Sequence, residues 1–272
     1  MLKLSSRIEK AKFLQKYNMT KNKAKYKKIL LLGGTQEAYK LAQLFFKNHL
    51  DFLSSLAGRT VHPRLPDGNY RIGGFGGRDG LINFVQSENI GVIIDATHPF
   101  AQTISEHAVQ AANFTNISYI RLERQPWQPV KGDNWHVVYN LEEAAQKIPF
   151  QSKCFLAIGR QYLHSFLKRK DVSFIARMVD QFNDKASHDN LHIILEKPGS
   201  YESEKLFLMK HNFDSIICRN SGGIASYAKI KAARFLNIPV IMIHKFLQTN
   251  TQSYSSVEEV LAFVRKYAAS SL

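Results

Sequence analysis

Short runs rich in Leu, Ile and Val alternate along the chain with longer stretches of helical period, and this alternation restricts the fold more than any other feature. Runs that are apolar at every position suit strands buried on both faces, as in parallel sheets, with the helices as crossovers. From Lys28 the order is "ILLLGG" (29–34), a helix over 36–48, "DFLSSLAG" (51–58), a Gly-rich loop before a helix over 79–88, "IGVIID" with a helix reaching Asn113, and "ISYIRLER". Residues 124–136, "RQPWQPVKGDNWH", have no period and read as a connection. Beyond them come a strand over 153–159, a helix to about Lys168, strands over 172–176 and 191–195, and a helix over 201–211. "FDSIICRN", a helix over 224–236, "IPVIMIH" and a closing helix over 256–268 complete the order. The pattern predicts an α/β chain with mainly parallel sheets in two halves, residues 29–130 and 131–272.

Composition narrows the function classes. No uninterrupted apolar stretch approaches the ~20 residues of a bilayer helix, so no membrane association is expected. Cys154 and Cys218 stand apart with no metal-ligand spacing, which predicts neither a zinc site nor a disulfide framework and points to a reducing cytoplasm. The net charge of +15 suggests nucleic acid until its distribution is considered. Residues 1–28 hold ten Lys and Arg against Glu9 alone, so most of the charge belongs to an N-terminal extension expected to be disordered, and no nucleic-acid partner is expected.

In open parallel sheets ligands collect at the carboxyl ends of the strands. The first such end is "LLLGGTQEA": Gly33 and Gly34 let a phosphate approach a helix N-terminus, and Thr35 can cap or bind. The second, "SSLAGRT", carries Ser54, Ser55, Arg59 and Thr60 with no acid, which favours a 2′-phosphorylated ribose and hence NADPH, with NADH as the other option. "GGFGGRDG" sets four glycines and Arg78 ahead of a helix. In "IDATHPFA" the strand stops at Asp95, and Thr97 and His98 occupy the turn before a Pro-led helix start. A carboxylate beside an imidazole can orient it or raise its pKa, which makes His98 with Asp95 the candidate proton donor. The other reading is a turn cap with a structural histidine. "CRNSGGIASYAKIKAARF" ends a strand in Asn220, Ser221 and Gly222 and opens a helix bearing Lys229, a pattern suited to carboxylates or phosphates.

Taken in order, "LLGGTQEAYKLA", "SLAGRT", "RIGGFGGRDGL", "IIDATHPFA", "IRLERQPW", "FLAIGRQYL", "ARMVD" and "RNSGGIASYAKIKAARFLNIPVIMI" resemble the precorrin-6A and cobalt-precorrin-6A reductases of cobalamin biosynthesis. The resemblance spans about residues 29–243 and implies nicotinamide-dependent reduction of one carbon–carbon double bond of a contracted tetrapyrrole. It also implies two Rossmann-like domains that flank a cleft and exchange a strand, the first binding the cofactor and the second contributing to the substrate cleft. On this basis Gly33, Gly34, Thr35, Ser55, Arg59, Thr60 and Thr97 fall on the cofactor side. Arg78, Arg124, Arg160, Asn220, Ser221, Gly222 and Lys229 fall on the substrate side, and no metal is implied. The chain departs from the family at Glu196, Lys197, Pro198 and Gly199, where Arg-Gly-Pro-Phe is usual, at Arg219 for Lys, and at Lys245 and Phe246 for Arg-Pro.

Two alternatives come from other classes. Tyr201 and Lys205 have the spacing of a short-chain dehydrogenase acid and its helper. The basic extension would suit a non-enzymatic nucleotide- or RNA-binding module. Oligomeric state is not legible.

Overall fold

The computed structural model describes residues 27–58, 64–179, 188–244 and 251–270. The basic extension up to residue 26, Arg59, Thr60, Lys245 and Phe246 lie outside the described residues. The chain divides into two compact units, the first holding 27–58, 64–123 and 251–270, the second 124–179 and 188–244.

The first unit is built on β1 (Lys28–Leu32), α1 (Gln36–Lys47), β2 (Phe52–Leu56), β3 (Asn69–Ile72), α2 (Gly77–Ser87), β4 (Ile90–Asp95), α3 (Gln102–Thr115) and β5 (Ser118–Leu122), with β12 (Ser253–Tyr254) and α7 (Val257–Ser270) from the chain's end. Its six strands are parallel in the order β12-β5-β4-β1-β2-β3. Alternate residues of β1 and β4 feed two cores. Ile29, Leu31, Val92 and Ile94 pack with α1 and α7, while Leu30, Leu32 and Ile93 pack with α2 and α3. A sheet sandwiched between helix layers explains why "ILLL" and "GVII" carry no polar position.

The second unit contains β6 (Trp135–Val138), α4 (Leu141–Gln146), β7 (Lys153–Ala157), β8 (Ser173–Met178), β9 (Leu191–Leu195), α5 (Tyr201–His211), β10 (Ser215–Arg219), α6 (Ala228–Phe235) and β11 (Val240–Ile243). Its sheet is also parallel, in the order β6-β11-β10-β7-β8-β9. Phe155, Ile216, Cys218, Val240 and Met242 form its core with Phe207, Leu208, Ile230 and Ala233.

The α/β class and the parallel sheets agree with the sequence reading; the domain boundary does not. Residues 251–270 belong to the first unit because β12 pairs with β5 and Val257, Val260 and Val264 fill the first core. The strand that follows β5, β6, joins the second sheet, so the two sheets exchange a strand. β6 also begins inside the segment read as a connection, and the division falls at Glu123–Arg124 rather than 130–131. The predicted helix from 160 is a short 3-10 turn, Arg160–Ser165, and the one from 224 opens as a 3-10 turn before α6.

Candidate active site

In the first sheet the strand order reverses between β1 and β4, where an open parallel sheet leaves a crevice at its carboxyl edge. Leu32 lies opposite Asp95 there, so the Gly33–Thr35 and Ala96–His98 turns leave the sheet side by side. The Thr35 hydroxyl donates to the Ala96 carbonyl at 2.7 Å and accepts from the Ala38 amide at 3.2 Å, capping α1 and tying the two turns together. The Gly33 amide donates to the Ser55 carbonyl at 2.9 Å. Gly34 has φ +105°, and nothing lies within 4 Å of where a side chain would project, so backbone is open to a ligand at the helix start.

Asp95 is fully buried, which corrects its expected place at the ligand edge. Its Oδ1 accepts from the Thr97 amide (3.0 Å) and hydroxyl (2.6 Å), and its Oδ2 from Tyr119 (2.9 Å) and Arg121 Nη1 (2.7 Å). Arg121 also donates to Ser105 Oγ and, at 3.4 Å, to the Pro99 carbonyl. Burial works against the Arg121 charge, but Asp95, Tyr119 and Glu123 outweigh it and raise its pKa. The Tyr119 hydroxyl is pushed strongly upward by burial and by Asp95, so it stays a donor. Asp95 is thus the buried anchor of the turn that carries Thr97 and His98. The half-buried His98 lies with Nδ1 3.3 Å from the Phe100 amide, which donates to it.

Ser55 is buried at the end of β2 and accepts from Arg71 of β3 at 3.0 Å. Arg78 is exposed and paired with its neighbour Asp79 at 2.7 Å, so its guanidinium is only partly available.

The second sheet reverses between β10 and β7; β10 ends at Arg219, and the turns after these strands hold Asn220 to Gly223 and Gly159 to Arg160. Arg219 lies 4.6 Å over the Tyr162 ring. Ser221 is buried and Arg160 exposed at this edge. Gly222 has φ +68°, and a side chain there would run into the Gln125 carbonyl, while Arg124 lies against Gly222 and Gly223.

Two residues expected on the substrate side are engaged within the second unit. The Asn220 side chain accepts from the Trp127 amide (2.7 Å), donates to the Trp127 carbonyl (2.8 Å) and lies 2.9 Å from His244 Nε2. Its amide is consumed in clamping the 124–134 segment onto the sheet. Lys229 is buried, donates to the Ser226 carbonyl at 2.8 Å and lies 5.7 Å from the Trp127 ring. Burial lowers its pKa, as expected of an ammonium inside a unit rather than at a binding edge.

Arg71, Tyr119 and Arg121 escaped the sequence reading. Tyr119 and Arg121 sit two apart in a strand, hence on one face, and two polar groups on one face of a buried strand were the available signal.

The profile of the family described as "Precorrin-6x reductase CbiJ/CobK" matches residues 28–265. The chain belongs to this family. A protein named precorrin-6A reductase from Sinorhizobium sp is 40% identical over 245 residues, covering 89% of this chain and 94% of the relative. One of the same name from Rhodococcus erythropolis is 38% identical over 240 residues, covering 87% and 97%. A solved structure titled "CobK precorrin-6A reductase" superimposes with a TM-score of 0.83 at 32% identity, covering 89% of this chain and 97% of the other. The precorrin-6x reductase family makes the chain an oxidoreductase of cobalamin biosynthesis, which implies a nicotinamide cofactor. That displaces the Tyr201/Lys205 alternative, and the Lys205 ammonium lies instead over the Phe235 ring at 3.9 Å.

Proposed function

We propose that the chain reduces one carbon–carbon double bond of precorrin-6A with NADPH, and that the β1/β4 edge holds the cofactor. The observation that carries this reading is the open backbone at Gly34 beside the Thr35–Ala96 tie, where nothing lies within 4 Å of a side chain's position and a phosphate can approach the start of α1. When bound, the reduced nicotinamide supplies the hydride.

The chain's own residues do the rest. Gly33, Gly34 and the start of α1 receive the phosphates, with Thr35 holding the turn. Ser55, Arg59 and Thr60 serve the adenosine ribose, and Thr97 borders the nicotinamide. His98, as the imidazolium, passes a proton to the alkene carbon next to the one that takes hydride and is left as the neutral ring. Arg78, Arg124, Arg160, Ser221 and the Gly222 backbone receive the macrocycle's carboxylates. Asp95, Asn220 and Lys229 act by holding these elements in place.

The substrate is a small molecule, with no nucleic-acid partner. Among the described residues no helix is long and apolar enough to cross a membrane, and the two cysteines are buried free thiols, in keeping with a cytoplasmic setting. Anaerobic incubation with precorrin-6A and either NADPH or NADH tests the reading. Oxidation of one NADPH per macrocycle, faster than with NADH, is expected; no oxidation of either nicotinamide overturns it.

A further inference from the structure

Arg71 lies at the carboxyl end of β3, opposite Ser55 in the β2–β3 register. Its Nη1 donates to Ser55 Oγ (3.0 Å) and to the Gly73 carbonyl (2.8 Å), and its Nη2 to the Gly74 carbonyl (2.8 Å). The guanidinium lies 4.0 Å from the Phe75 ring centre and 5.2 Å from that of Phe84. All of these partners are neutral.

Four other arginines with little exposure are balanced by acids. Arg121, Arg169, Arg177 and Arg234 each have a carboxylate oxygen within 2.8 Å. No carboxylate among the described residues pairs with Arg71, and burial lowers its pKa with no nearby charge to oppose it. A half-buried cation without a counter-charge costs stability that an anionic ligand would offset. Three of the five guanidinium N–H donors are used, which leaves one on Nη2 and the one on Nε. Beside them, Gly73, Gly74, Gly76 and Gly77 have nothing within 4 Å of where side chains would project, so the loop leaves room for a ligand.

The end of the second strand of a dinucleotide-binding sheet is where the adenosine ribose falls, and Arg71 is hydrogen-bonded to that end through Ser55. We propose that Arg71 is the cation that reads the phosphate on the ribose 2′-oxygen and so sets the preference for NADPH over NADH. The inference rests on the NADPH reading above and adds to the Arg59 assignment a residue whose guanidinium is already oriented by the loop it holds.

The test is calorimetric titration of the full chain with adenosine 2′,5′-bisphosphate and with 5′-AMP, which differ only in that phosphate. The wild type is expected to bind the bisphosphate more tightly. Arg71→Ala is expected to lower bisphosphate affinity by about 10- to 100-fold and leave 5′-AMP affinity unchanged. Arg71→Lys should fall between, because an ammonium keeps the charge and loses the fork; this variant carries the test if the alanine variant does not fold. Equal loss for both ligands means that Arg71 only shapes the loop, and it overturns the inference, as does an unchanged ratio in either variant. A wild type indifferent to the two ligands would instead overturn the NADPH reading itself, and the inference with it.

Discussion

Replacing Arg121 by Met keeps much of the side chain's length and removes every donor. The change deletes the 2.7 Å contact to Asp95 together with the bonds to Ser105 and the Pro99 carbonyl, at a site where the two charged side chains are 3% and 0% exposed. Asp95 keeps Thr97 and Tyr119 but loses its counter-charge. Breaking a buried pair by removing one partner costs ~3–5 kcal/mol, a large share of the ~5–15 kcal/mol that holds a domain together. Asp95→Asn should also destabilise, by leaving Arg121 with the longer 3.7 Å pair to Glu123. The double variant removes both charges and should be more stable than the sum of the single losses predicts, with a coupling of ~1–3 kcal/mol. Both tryptophans, Trp127 and Trp135, lie in the second unit, so indole fluorescence does not directly report on this site. Hydrogen exchange at β4 and β5 amides does, and a loss of ~3 kcal/mol would speed exchange by roughly 150-fold. A cost below ~1 kcal/mol for Arg121→Met, or strict additivity in the double variant, would refute the argument that this pair anchors the His98 turn.

His98→Ala should lower turnover by ~100-fold with NADPH affinity little changed, measured by steady-state kinetics beside a binding titration; wild-type turnover would remove His98 from proton transfer. Asn220→Ala should free the 124–134 segment, shift Trp127 emission toward that of an exposed indole and raise the KM for the macrocycle more than it lowers kcat. Burial pushes the Cys154 thiol up to about 12 and Cys218 up to about 11, so at pH 8 both stay protonated and should resist alkylation until the chain is unfolded. Because these pKa values exceed the ~8.5 of an unfolded thiol, the stability they favour is present below that pH and declines as pH rises toward 11 and 12; a rising stability over that interval would contradict the assignment.

The fold was legible where burial is uniform. "ILLL", "GVII" and "SIIC" are strands because both faces are covered, and no other short structure tolerates such runs between helices. The strands that were missed carry no such pattern. β3 is mostly exposed, β12 has two residues, and β6 follows a Pro-rich stretch, so sheet pairing rather than composition makes them strands. The ends of β1, β2, β4 and β10 were found from glycines and hydroxyls that follow apolar runs. What those side chains do was not legible, because their partners are distant in sequence. Asp95 meets Arg121 from 26 residues away, and Asn220 meets Trp127 from 93. In each case a residue that reads as part of a site also ties together segments far apart in sequence. The return of the chain's end to the first sheet left no mark either, since a closing helix looks the same whichever core receives it.

The most direct measurement is isotope transfer. With NADPH deuterated at the transferring position, the reduced macrocycle should carry one deuterium from the nicotinamide. With unlabelled NADPH in heavy water, the neighbouring carbon should instead take deuterium from solvent through an exchangeable acid, more slowly in the His98→Ala variant. A reduced product without label from the nicotinamide would contradict the account.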